Sequence, residues 1–215
     1  MLEPVFTPFP QLETDRLLLR RITKADAAAL LFLRSSEKVM QFIDKERTKT
    51  LQEAEELVER IDNDLNNNDG INWAISLKEK PEILVGTIGF WRIIKQHYRA
   101  EIGYMIHPDL WGKGLVKEAV LTVIDYGFNN IKLHSIEAHI NPGNAASAAL
   151  LEKTGFVREA YFKEDFFFRG KFLDTAIYSL LNKNKNAALK KEQRLIYPVI
   201  SIFTFLVILH DQLHV

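Results

Sequence analysis

The run from Glu101 to Ala119, Glu-Ile-Gly-Tyr-Met-Ile-His-Pro-Asp-Leu-Trp-Gly-Lys-Gly-Leu-Val-Lys-Glu-Ala, leaves few folds open to this chain. Ala100 to Ile106 reads as a strand, the loop after it carries Gly112 and Gly114, and Leu115, Ala119, Val120, Val123, Ile124 and Phe128 then recur at helical spacing to Asn129. A strand that enters a helix through two glycines is a natural anion cradle. Without side chains in the way the backbone can approach a diphosphate, and successive N–H groups together with the helix N-terminus supply partial positive charge. Two glycines can equally well make a tight strand-to-helix turn, and Gly-x-Gly alone does not choose between the readings.

The flanking segments fit a mixed sheet. Arg16 to Ile22 reads as a first strand, and Thr23-Lys24-Ala25-Asp26 has the capping-box form that opens a helix. Thr50 with Glu53 repeats that signature, followed by Leu51, Ala54, Leu57, Ile61 and Leu65 on one helical stripe that ends in Asn66-Asn67-Asn68-Asp69-Gly70. Asn72 to Leu77 and Ile83 to Trp91 read as an antiparallel hairpin joined across Glu79-Lys80-Pro81. Ser135 to Ile140 is a further strand, Asn144 to Thr154 a short helix closed by Gly155, and the remainder to about Leu181 two strands folded around Arg169-Gly170-Lys171. Strands and helices in this order imply an α/β or α+β sheet with helices on its faces.

Charge and cysteine content exclude several functions. Lys and Arg together number 28 and so do Asp and Glu, so no global positive field draws the chain to nucleic acid or an anionic membrane. With no cysteine there is no disulfide framework, thiolate nucleophile or cysteine metal site. The start Met-Leu-Glu-Pro-Val-Phe lacks the basic-then-apolar layout of a signal peptide, so a cytoplasmic location is expected. His134 and His139 lie on opposite faces of a strand and are read as lacking a carboxylate or cysteine partner at ligand spacing, so no metal is assigned.

A second signature follows the glycine loop: Asn141-Pro-Gly-Asn144-Ala-Ala-Ser147-Ala-Ala-Leu-Leu-Glu-Lys-Thr-Gly155-Phe156. Together with Leu12-Glu-Thr-Asp-Arg-Leu-Leu-Leu-Arg20, Glu101-Ile-Gly-Tyr104 and Trp111-Gly-Lys-Gly114, it resembles the GNAT superfamily of acyl-CoA-dependent N-acetyltransferases, in particular the ribosomal-protein N-terminal acetyltransferase branch. The resemblance runs from about Glu13 to about Leu181. It implies a strongly twisted mixed sheet whose fourth and fifth strands splay apart to admit the pantetheine arm of acetyl-CoA, the acetyl donor. It also implies that the N–H groups of Gly112, Lys113, Gly114, Leu115 and Val116 hold the diphosphate, that main-chain atoms of Met105 and Ile106 pair with pantetheine and thioester, and that Asn144 bonds the pantetheine amides. Val116 departs from the Gly or Ala usual at its position. Asn144 can also serve simply as a helix N-cap, and Asn141 as a turn former.

Acetyl transfer requires an amine that has lost its proton, and a carboxylate in the cleft, directly or through water, is the usual base. Glu101 is the candidate, with a polar strand residue as the plain alternative. The leaving thiolate benefits from a proton donor. Many GNAT members carry a tyrosine four residues before the Gly-Phe pair, where this sequence has Leu151, which leaves Ser147 or water. The main-chain N–H of Met105 or Ile106 could receive the oxyanion if this strand bulges. Trp111 and His107 are read as shaping the loop, Glu118 as a structural residue of the helix face, and the aromatic residues around Phe162 to Phe172 as core first, with an acceptor wall or dimer surface as alternatives.

These readings place an acetyltransferase domain over residues 1–181 and an extension over 182–215. The acceptor is a protein N-terminus or a small amine. A non-catalytic acyl-CoA-binding or sensing module is the rival from another class. Leu195 to Leu209 is strongly apolar but shorter than the roughly 20 residues of a helical membrane span and interrupted by Pro198, so packing on its own domain or on a second subunit of a homodimer is expected first in place of a complete membrane span, with a peripheral hairpin or anchor at a membrane surface left open.

Overall fold

A computed structural model describes residues 1–183. Expectations for the apolar stretch Leu195 to Leu209 lie outside the described residues. The unit from Met1 to Leu180 is one mixed sheet with helices on both faces. In chain order the elements are β1 (Leu12–Glu13), β2 (Leu17–Arg21), α1 (Ala27–Ser35), α2 (Glu37–Met40), α3 (Leu51–Asn66), β3 (Ile71–Leu77), β4 (Gly86–Ile94), β5 (Arg99–Ile106), α4 (Leu115–Asn129), β6 (Ser135–Ile140), α5 (Ala145–Lys153), β7 (Val157–Phe168) and β8 (Lys171–Leu181). The strands lie in the order β1-β2-β3-β4-β5-β6-β8-β7.

Local signals account for the helix starts. The Asp26 carboxylate accepts the Thr23 N–H at 2.8 Å, and the chain makes a single 3-10 turn before α1. Thr50 Oγ1 accepts the Glu53 N–H at 3.1 Å while Glu53 accepts the Lys49 N–H at 2.7 Å, so two otherwise unsatisfied donors at the start of α3 are bonded. The buried stripe of α3 is Ala54, Val58 and Leu65, and Leu51 is exposed. The expected stripe thus holds at Ala54, Ile61 and Leu65, while Val58 and not Leu57 turns fully inward.

Two apolar clusters sandwich the sheet. One joins Leu17, Leu19, Trp73, Ile75, Ile88, Phe90, Ile102 and Ile106 to Leu115, Ala119, Val120 and Val123 of α4 and Leu151 of α5. The other joins Ala74 and Leu84 to Leu30 and Leu33 of α1, Val39 of α2 and Val58 of α3, with Met105 packed against it. Side chains alternate across a strand, so the even residues of β5 face α4 and the odd ones face the α1–α3 layer. No helix among the described residues is long and apolar enough to cross a membrane.

The feature that positions the site is an interrupted strand pair. β5 and β6 run parallel and pair as Arg99 with Ser135, Ala100 with Ile136 and Glu101 with Glu137, and the pairing stops there although β5 continues to Ile106 and β6 to Ile140. These are the expected splayed strands. They count as fifth and sixth here because the two-residue β1 precedes the first strand expected from the sequence.

Candidate active site

On the β4 side β5 is fully laddered. The His107 N–H donates to the Val85 carbonyl at 2.8 Å, and Met105 pairs with Thr87 and Gly103 with Gly89. Antiparallel ladders direct alternate residues to alternate neighbours, so Met105 turns its N–H toward β4 while Tyr104 and Ile106 turn theirs toward the gap. The Ile106 carbonyl on that side accepts the Trp111 indole N–H at 3.0 Å. Of the two residues expected to meet the thioester, Ile106 offers the main-chain donor. The sheet irregularity lies on β4, where the register shifts between Phe90 and Arg92, and not on β5. The bulge places the indole of Trp91 over the odd face of β5 at Gly103, where an added Cβ would make ordinary van der Waals contact with it at 3.4 Å.

Glu101 sits at the mouth of the gap and is buried, as is Glu137 beside it. The Arg92 guanidinium bridges them, 2.9 Å from Glu101 and 3.1 Å from Glu137. Burial pushes the Glu101 carboxyl above the ordinary carboxylate range, and Glu137 adds to this, against the opposing pull of His139, Arg92 and Lys45. His139 corrects one expectation from the sequence. Its Nε2 is 3.6 Å from the Glu137 carboxylate, and one ligand atom each from Glu101, Glu137 and His139 fall within 4.8 Å of one another. Residues 137 and 139, two apart on a strand, share a face. Arg92 is joined by Arg99, whose Nε is 3.4 Å from Glu137, so two guanidinium groups face the two carboxylates in an ion network.

The α2–α3 loop covers this face. The Lys45 ammonium is 4.6 Å from the Trp91 ring centre, and Arg169 of the β7–β8 hairpin grips Glu46 with two bonds of 2.7 and 3.1 Å. The aromatic hairpin residues Phe162, Phe166, Phe167 and Phe172 are exposed within this unit, so their reading as core does not hold. What surrounds them is an arm whose tip meets the loop over Glu101's side of the sheet.

On the opposite face the Tyr104 hydroxyl and Ser147 Oγ are 2.7 Å apart. Burial raises the Tyr104 hydroxyl to about 12, with the bond to Ser147 pulling the other way, so it stays protonated at neutral pH. Ser147 is buried in the first turn of α5, and Asn144 Oδ1 accepts its N–H at 3.0 Å. Asn144 is therefore a true N-cap whose amide group is left to donate elsewhere. Asn141 Oδ1 accepts the Gly143 N–H at 2.9 Å, the turn role expected of it. Leu151 is fully buried in the core and offers no proton. Sequence reasoning did not single out Tyr104 or Arg92 as partners of Ser147 and Glu101, because both pairings depend on tertiary structure.

The glycine loop has the geometry of an anion cradle. Gly112 and Gly114 adopt φ of 73° and 74°, in the left-handed region that side chains disfavour. Gly114 is the N-cap of α4, and Leu115 and Val116 open the helix with their N–H groups unopposed by earlier carbonyls. Val116 packs against the core.

Residues 16–157 match the acetyltransferase (GNAT) domain family. The chain is 36% identical over 173 residues to the uncharacterized N-acetyltransferase YoaA of Bacillus subtilis, covering 80% of this chain and 97% of that one. It is 31% identical over 98 residues to the [ribosomal protein uS5]-alanine N-acetyltransferase of Escherichia coli, 45% of this chain and 50% of the relative. The crystal structure of spermidine N-acetyltransferase from Vibrio cholerae, in complex with CoA and spermine, superposes with a TM-score of 0.71 at 26% identity, covering 79% and 98% of the two chains. A splayed sheet, a glycine turn at a helix start and a match across two-thirds of the sequence all agree: the chain belongs to the GNAT family and is an N-acetyltransferase.

Proposed function

We propose that the acetyl group crosses the sheet through the gap between β5 and β6, from a thioester held on the α4–α5 face to a primary amine presented on the α1–α3 face. One observation carries this reading. The pairing of β5 and β6 ends at the Glu101–Glu137 rung, and the two candidate proton-handling groups, Glu101 and Ser147, belong to opposite faces on either side of it. In this reading the N–H groups of 112 to 116 hold the diphosphate, the Ile106 N–H meets the thioester oxygen, and the Asn144 amide bonds the pantetheine.

Glu101 takes the proton of the attacking amine, directly or through water. The nitrogen attacks the thioester carbon, the oxyanion is stabilised by the Ile106 N–H, and the carbon–sulfur bond breaks. With Tyr104 donating to Ser147 Oγ, the Ser147 proton is free to point at the departing thiolate. Tyr104 itself is too weak an acid to surrender its proton to a thiolate of pKa about 8.5, and the Ser147 hydroxyl is weaker still, so the pair stabilises the departing thiolate by hydrogen bonding and the sulfur leaves as the anion or takes its proton from water. The acceptor is a protein N-terminus or a small amine, the two kinds of acceptor named for the relatives above.

Calorimetric titration with acetyl-CoA and CoA, followed on the same sample by thiol release against peptide N-termini and small amines, tests the proposal. Binding with turnover supports it. Binding without turnover on any amine favours a non-catalytic acyl-CoA-binding module, and a folded protein that binds neither thioester nor thiol removes the cofactor reading.

A further inference from the structure

Glu118 poses a problem for any anion approaching the start of α4. It occupies the first turn of the helix, a few residues from the glycine cradle. A carboxylate there is favourable to the helix but repels a diphosphate seeking the same N-terminus. Although burial works against it, bonds from Thr14 and Arg16 hold the Glu118 carboxyl below the ordinary range, so it carries a full charge at neutral pH.

The structure surrounds that charge from one short segment, the link between β1 and β2. Glu118 Oε1 accepts the Thr14 hydroxyl and the Arg16 N–H, the latter at 3.0 Å, and Oε2 accepts Arg16 Nε at 2.8 Å with Nη2 at 2.6 Å. The same guanidinium reaches back to the cradle. Its Nη1 donates to the Lys113 carbonyl at 3.0 Å, and its Nη2 stands 3.7 Å from where a Cβ on Gly114 would be. Lys113 lies between the two positive-φ glycines, so the bond to its carbonyl restrains that oxygen's orientation and thereby the turn of the neighbouring N–H groups. Arg16 remains half exposed at this spot while Glu118 is largely covered.

We propose that Arg16 is a positioning residue for the donor's diphosphate: it neutralises Glu118, fixes the Lys113 peptide, and presents the remaining edge of its guanidinium beside the cradle. The proposal rests on the reading of residues 112 to 116 as the diphosphate site. It predicts a defect that depends on the donor carrying a diphosphate.

The experiment compares wild type and R16Q with two donors, acetyl-CoA and S-acetylpantetheine, which keeps the thioester and pantetheine but lacks the diphosphate. R16Q is expected to raise the KM for acetyl-CoA, and the calorimetric Kd for CoA, by about ten-fold or more, with kcat at saturating acetyl-CoA within about three-fold of wild type. With S-acetylpantetheine the two proteins are expected to have the same kcat/KM. Adding E118Q to R16Q is expected to recover part of the CoA affinity, since the uncovered carboxylate is then gone. Equal losses with both donors would overturn the proposal in favour of general structural damage, as would unchanged CoA affinity in R16Q or no recovery in the double variant. Should R16Q fail to fold, R16K keeps the charge without the fork and is expected to show a smaller but still donor-specific rise in KM, with an equal effect on both donors again counting against the proposal. Wild-type protein that does not bind CoA would remove the cradle reading and this inference together. Wild-type binding with an indifferent R16Q would remove the inference alone.

Discussion

Glu101 is held by neighbours that oppose the effect of its own burial. Burial and Glu137 raise its pKa, while His139, Arg92 and Lys45 lower it, and the balance lies above the ordinary carboxylate range. For a base that must accept a proton from an ammonium of pKa about 8 to 10.4, each unit of upward shift narrows the gap by about 1.4 kcal/mol, so burial makes this carboxylate a better base. As the proposed base, Glu101 works only when ionised, so kcat/KM should fall as pH drops through that raised pKa, at a higher pH than for an exposed glutamate. E101Q is expected to lower kcat by roughly 10²- to 10⁴-fold, to leave CoA affinity unchanged, and to abolish this acidic limb in a rate-versus-pH profile. A variant that retains the limb would assign it to another group. The candidacy of Glu101 was legible in the sequence from its place at the start of the Glu101-Ile-Gly-Tyr104 strand. Its pairing with Arg92 was not, because Arg92 sits beside the β4 bulge at Trp91 and the register shift there leaves no mark in residue spacing.

Within α5 one residue serves the element and, by proposal, the cofactor as well. Asn144 caps the helix through Oδ1 and has its amide group available for pantetheine, and two substitutions separate these roles. N144A removes both and is expected to cost about 1 kcal/mol of stability and to raise the KM for acetyl-CoA. N144S keeps a capping oxygen, so its stability should return to within a few tenths of a kcal/mol of wild type while the KM defect persists. Restoration of both by N144S, in paired melting and kinetic measurements, would reduce Asn144 to a cap. The helix starts at Thr23 and Thr50 could be read ahead of the structure because capping is local, decided by residues three apart. In the stripe of α3, Ala54, Ile61 and Leu65 pack inward as read, but Val58 takes the place expected of Leu57, since both fit helical spacing and only packing against α1 and the sheet chooses between them. β1 escaped notice because two residues carry no periodicity, and the Tyr104–Ser147 contact because it joins positions 43 apart. The Glu137–His139 pairing, by contrast, followed from period-two alternation and could have been read directly.

At the scale of the molecule, the proposed mechanism makes the sheet a partition, with donor machinery on one face, acceptor machinery on the other, and the gap between β5 and β6 joining them. All the residues given a role lie between Arg16 and Ser147, and the family match ends at residue 157. The structure's first unit ends at Leu180, so we propose that catalysis is contained in residues 1–181 and that 182–215 is an extension with a separate role. A chain ending at Leu181 should therefore keep the wild-type Kd for acetyl-CoA and the wild-type kcat on any amine the full chain acetylates. Something else should change, because a stretch as apolar as Leu195 to Leu209 is expected from its sequence to associate. If it packs on its own domain or on a second subunit, removing it should lower the melting temperature or the oligomeric state seen by sedimentation. Unchanged solubility, stability and mass would refute packing of that segment, whereas loss of turnover in a folded, CoA-binding truncation would move the boundary of the catalytic unit beyond Leu181.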